Sequence, residues 1–187
     1  MKYFLSYWIL LVSVVMLVFQ AGCRYRNAKP IIRCQEILDS RKIDKITILP
    51  VADGRVKIDK RFNFEKETSK VQERLISSLK SKGYDCVVIT DMAALAMEPQ
   101  QIPFADSSQI PEIGPDKAIW VMVPIVDRID NPYIGNTYSS VACYFFDKSI
   151  GKLVWEGSII GVAVSMHDSY LEDAFYHLMK EFPEKSR

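Results

Sequence analysis

Cys23 stands behind two small residues, Ala21 and Gly22, and in front of the basic Arg24 and Arg26. A thiol in that setting becomes available for modification if the bond before it is cut. Three carboxylates form a second candidate set. Asp53, Asp127 and Asp130 each lie where an apolar run ends, and carboxylates gathered at strand ends can do acid–base work, as in a hydrolase. The only histidines are His167 and His177, too far apart to share one helical turn. His167 with Asp168 and Glu172 would place an imidazole and two carboxylates together for metal or proton chemistry. The same residues also suit a helix start: acids favour the positive end, and Ser169-x-x-Glu172 has capping-box spacing. Tyr133, Tyr138 and Tyr144 could line a binding surface or simply pack a strand. No Walker A, G-x-S-x-G, H-E-x-x-H or dinucleotide glycine pattern occurs. The residues therefore assign no catalytic group, no cofactor and no metal.

The elements that would position these groups follow from periodicity. Ile46 to Val51 is a short β-branched run closed by Asp53-Gly54, which predicts a buried strand and a turn. Val71, Leu75 and Leu79 recur every four residues and predict a helix over 65–82, with Gly83 as its stop. Cys86 to Thr90 reads as a second strand, and Asp91 can cap a short helix over 92–97. Pro99, Pro103, Pro111 and Pro115 make 98–117 a long surface loop. Ala118 to Val126 is a strand buried on both faces, with Pro124 requiring a bulge or strand end nearby. Thr137–Phe146 and Leu153–Val164 form a hairpin across a turn containing Gly151. Leu171, Ala174, Phe175, Leu178, Met179 and Phe182 give the final helix, stopped by Pro183. Ile31 to Leu38 is a short helix or strand. The order is β-α-β-(α)-β-β-β-α. That is an α/β (α+β) fold, with one mixed sheet of about five strands and helices packed on it.

Composition narrows the partners. Of 187 residues, 24 are Lys or Arg and 23 are Asp or Glu, interspersed along the chain. Nothing resembles a basic stripe for a nucleic-acid backbone. The cysteines give no C-x-x-C spacing. Cys86 and Cys143 lie in apolar strands and read as small buried side chains, while a disulfide among Cys34, Cys86 and Cys143 stays open. The first residues have a signal layout: Lys2, then Tyr3 to Phe19 without a charge, then small residues before Cys23. This divides the chain into a signal peptide (1–22), a tether and entry segment (23–44) and a globular domain (45–187). The uncharged run also approaches the length of a membrane-spanning helix, so an uncleaved anchor is the other reading.

Ala21-Gly22-Cys23 resembles the lipobox of bacterial lipoproteins, with Gln20 in the place where Leu is usual. That resemblance implies diacylglycerol on Cys23 and a location in the cell envelope. Arg24 is not the Asp that holds enterobacterial lipoproteins in the inner membrane, which implies the outer membrane, facing the periplasm. A second resemblance rests on Ile46-Thr47-Ile48-Leu49-Pro50-Val51, Lys82-Gly83-Tyr84 and the hairpin Tyr144-Phe145-Phe146-Asp147-Lys148-Ser149-Ile150-Gly151-Lys152-Leu153-Val154-Trp155-Glu156-Gly157. These phrases are similar to envelope lipoproteins with a TolB amino-terminal-like domain. That group includes the curli secretion subunit, lipoprotein activators of penicillin-binding proteins and a neisserial vaccine-candidate family. The likeness implies a non-enzymatic module that binds envelope proteins or its own copies. An accessory lipoprotein of an export transporter is a further role it allows.

Overall fold

The computed structural model describes residues 29–33, 43–56, 63–130, 136–164 and 170–185. Seven strands form one sheet: β1 (Ile31–Arg33), β2 (Lys45–Ile48), β3 (Ala52–Asp53), β4 (Asp85–Val88), β5 (Trp120–Asp130), β6 (Asn136–Asp147) and β7 (Lys152–Val164). Their order across the sheet is β1-β7-β6-β5-β2-β4, and β3 pairs with β5 beyond the end of β2. The two strands above the expected five are β1 and β3. At three and two residues, they are too short to carry a periodicity. β4, β2 and β5 run parallel, whereas β5, β6, β7 and β1 alternate in direction. Two helices, α1 (Phe64–Ser81) and α2 (Tyr170–Lys180), pack on one face and on each other. Among the described residues, no helix is long and apolar enough to cross a membrane.

The helix α1 forms where its caps dictate. The Asn63 side chain accepts from Lys66 N at 3.0 Å, satisfying one of the unpaired donors of the first turn. At the other end Gly83 N donates to Lys80 O and Tyr84 N to Leu79 O, a Schellman closure. Val71, Leu75 and Leu79 are fully buried against the sheet. From α2 and the turn after it, Leu171, Phe175, Leu178, Met179 and Phe182 join the same core. Phe182 is the hub of an aromatic cluster, with ring centroids 5.0 Å from Trp155, 5.3 Å from Phe145 and 5.6 Å from Tyr84. Trp155 lies flat over Gly157, where a Cβ would stand 2.4 Å from its Cη2. Only glycine permits that approach.

The opposite face of the sheet is covered by the proline-rich segment, which the sequence presents as a surface loop. With the segment before it, where the sequence predicts a short helix over 92–97, it is wound into three 3₁₀ turns, Met92–Leu95, Ile102–Phe104 and Ile110–Glu112. Prolines prevent a continuous helix, yet each turn still drops one apolar side chain into a second core. Leu95, Ile102, Ile110 and Ile113 meet Val121, Val123, Ile125, Tyr144 and Phe146 there. Asp91 caps the first turn through Ala93 N, and Asp106 accepts from Ser108 and Gln109 before the third. The loop is thus a structural layer, and the central strands β5 and β6 are buried on both faces.

Pro124 sits inside the central strand β5 without breaking it. Leu49 N donates to Met122 O and Gly54 N to Val126 O, so alternate residues of β5 point toward β2 and β3. Pro124 shares that phase. Its missing N–H falls in the gap between β2, which pairs as far as Met122, and β3, which begins opposite Ile125. The ladder thus loses no bond there. A bulge between Val126 and Arg128, opposite β6, follows shortly after.

Candidate functional site

The strand-end carboxylates occupy opposite sides of the sheet. Asp53 is opposite Val126 of β5 and lies on the helix face, in the wall of a crevice shared with Phe64, Thr68 and Gln72. Asp127 is one position further along β5. It sits at the bulge of that strand, and its bond to Ser140 places it on the loop face. A Cβ built on Gly54 would lie 3.4 Å from its Oδ1. Asp130 ends β5, and its side chain lies outside those described.

Asp53 is engaged by Arg55. It accepts from Arg55 Nε at 2.7 Å and from Nη2 at 2.6 Å, a bidentate pair. The guanidinium is buried, at 3% side-chain exposure, and lies 5.0 Å from the centroid of the Phe64 ring. The crevice is about 380 Å³ and opens beyond the carboxyl ends of β2 and β4, where open α/β sheets commonly bind ligands. Several of its polar side chains are already bonded. Gln72 Nε2 donates to Leu49 O and Ile89 O, Thr68 Oγ1 to Phe64 O, and Ser69 Oγ to Lys66 O. The two Gln72 bonds tie α1 to the ends of β2 and β4, so the crevice is a joint in the fold.

Asp127 has the most perturbed described carboxyl. Burial pushes it up to about 6; the Ser140 hydroxyl pulls it down, and the Glu156 charge raises it. Glu156 itself is bridged to Arg33 at 3.1 Å. Burial, then the Asp127 charge, also raises the Tyr144 hydroxyl and the Cys143 thiol. A carboxyl raised in the fold releases its proton less readily there than in the unfolded chain. Its stabilising contribution is complete below the unfolded value near pH 4 and is lost as pH rises through about 6. The wild type should therefore be more stable at pH 4.5 than at pH 7 relative to Asp127→Asn, by on the order of 1–2 kcal/mol. Chemical denaturation of both proteins at the two pH values measures this. Equal differences at both would show that Asp127 is solvated.

The other candidate groups do not assemble. Cys23, Cys34, Tyr133, His167, Asp168 and Ser169 lie outside the described residues. Glu172 is in the first turn of α2 and His177 in its last turn, as helix-end electrostatics favour. Tyr144 packs in the loop-face core and presents no binding surface. Cys86 and Cys143 are free thiols, with Cys86 half-buried and pushed up to about 11, chiefly by burial. Among the described residues, no group of three or more His, Cys, Asp or Glu is placed to hold a metal.

One feature has no sequence signal. On the loop face a groove of about 360 Å³ runs beside the outermost strand, lined by Val87 of β4 and Ile89 just after it, Lys45 and Thr47 of β2, and Lys117 and Ile119. It exists because the proline-rich layer turns into β5 before it reaches β4. Ile119, in a run read as wholly buried, is 55% exposed there.

No protein-family model and no curated relative matches the chain. Solved structures do. The PelC dodecamer from Paraburkholderia phytofirmans is similar over 86% of this chain and 99% of its own, with a TM-score of 0.53 and 15% identity. Lipoprotein GNA1162 from Neisseria meningitidis aligns over 67% of this chain and 86% of its own, with a TM-score of 0.45 and 16% identity. At this level of identity, the PelC likeness shows a common fold.

Proposed function

We propose that the chain is a non-enzymatic module of the cell envelope, held to the membrane by lipid on Cys23. It acts by associating with its own copies or with other envelope proteins. The observation that carries this reading is the leader: an uncharged run from Tyr3 to Phe19, then Ala21-Gly22-Cys23. Two features support it. The alternative of a hydrolase working through Asp53 and Asp127 needs those carboxylates to converge, and they lie on opposite faces of the sheet. PelC, which shares the fold, is a dodecamer, and self-association is the simplest job for a domain whose two cores are filled.

Intact mass of the protein taken from its native membrane, wild type against Cys23→Ser, tests the anchor. The expected wild-type mass corresponds to a chain beginning at Cys23 and carrying acyl groups, and the substitution should abolish both. An unprocessed mass, unchanged by the substitution, would mean that 3–19 is a transmembrane anchor.

A further inference from the structure

The sheet ends on two strands, β1 and β4, with no further strand beyond either among the described residues. An open edge offers unpaired backbone groups to another chain. These two edges are complementary. On β1, Ile31 is 48% exposed on the loop face, Ile32 turns inward against the helix-face core, and the Arg33 side chain is 66% exposed. On β4, Val87 lines the groove on the loop face, Cys86 turns inward against the helix-face core, and Asp85 is exposed.

We propose that β1 of one copy adds to β4 of the next and continues the sheet from subunit to subunit. This rests on the self-association reading above and assigns the surface that performs it. Strand directions fix the orientation. β4 is parallel to β5, and β5, β6, β7 and β1 alternate, so β1 runs opposite to β4 and the new pair is antiparallel. Side-chain faces fix the register. Placing Ile32 opposite Cys86 keeps both on the helix face, sets Ile31 beside Val87 over the groove, and brings Arg33 against Asp85. A slip by one residue would reverse every side chain. The Arg33 guanidinium has five donors. It can keep Glu156 of its own copy, now at 3.1 Å, and still reach the neighbouring aspartate.

The contact joins two different edges, so it is heterologous and propagates into a ring or filament. Each junction is only three or four residues long. It depends on lipid anchors that hold the copies in one plane at high effective concentration.

Charge reversal tests this on the full chain in mild detergent and in membranes. Arg33→Asp and Asp85→Arg should each reduce the oligomer by roughly tenfold or more, and the double substitution should restore it. Mass photometry reads the assembly, and a thermal melt checks that each variant is folded. Independently, Ile31→Cys with Val87→Cys, in a background of Cys34→Ser and Cys86→Ser, should give an oxidative ladder beyond the dimer. Either single cysteine should not. Oligomers that persist in both single reversals, or losses that the double reversal does not repair, would overturn the edge pairing and leave self-association standing. A wild type that is monomeric in detergent and in membranes would overturn both.

Discussion

Phe182→Ala should lower the unfolding free energy by about 3–5 kcal/mol, the range for emptying an aromatic site in a packed core. Phe182 is 1% exposed and lies beyond the last turn of α2. Its ring meets Tyr84, which follows α1, Phe145 on β6 and Trp155 on β7. Removing it deletes edge-to-face contacts with three elements at once. Trp155 cannot move in to fill the space, because its ring is already seated over Gly157. Urea unfolding followed by tryptophan fluorescence measures the loss. A change under about 1 kcal/mol would mean that the end of α2 is not docked as described.

Asp53→Ala should cost about 2–3 kcal/mol, with most of the effect arising on the arginine side. Arg55 is buried, and the substitution takes away both charge-assisted bonds that offset its desolvation. Asp53 retains some solvent, at 28% side-chain exposure, which keeps the figure below that of a fully buried pair. The measurement also separates the two uses of this carboxylate. A catalytic aspartate is commonly held at a cost to stability, so its removal is neutral or stabilising. A Tm for Asp53→Ala equal to or above that of the wild type would count against the structural role.

The parts of the fold legible in the sequence are those with a long period or a defined stop. The four-residue recurrence of Val71, Leu75 and Leu79 with Gly83 gives α1 almost to the residue, since the helix spans Phe64–Ser81. The period of two along Thr137–Phe146 is legible too: Val141, Cys143 and Phe145 enter the helix-side core, and Ala142, Tyr144 and Phe146 the other. Asp91 acts as the cap its position suggests, but for a 3₁₀ turn of four residues.

What the sequence hides is tertiary. The isoleucines at 102, 110 and 113 stand among Pro103, Pro111 and Pro115, which rule out the helix their spacing would fit, and their burial depends on a sheet face that only distant segments supply. Strand-end position brings Asp53 and Asp127 close in the chain order of the sheet, but alternation and the offset of one residue separate them across it. The groove beside β4 is the place where a covering layer stops, and no residue type marks that.

The antiparallel pairing of β1 with β7 also sets which way the molecule stands. Ile31 is opposite Ser158 and Arg33 opposite Glu156, so the chain approaches β1 from the end where β7 finishes. The carboxyl ends of the parallel strands and the Asp53 crevice share that end. The β6–β7 turn, with Lys148 bonded to Gly114 O and Pro115 O, marks the other. Five residues separate Cys23 from Lys29, a reach of about 20 Å at full extension over the six steps. A lipid on Cys23 would therefore hold the crevice end toward the bilayer. The hairpin tip would point outward by the length of the sheet, leaving lateral neighbours to meet edge to edge.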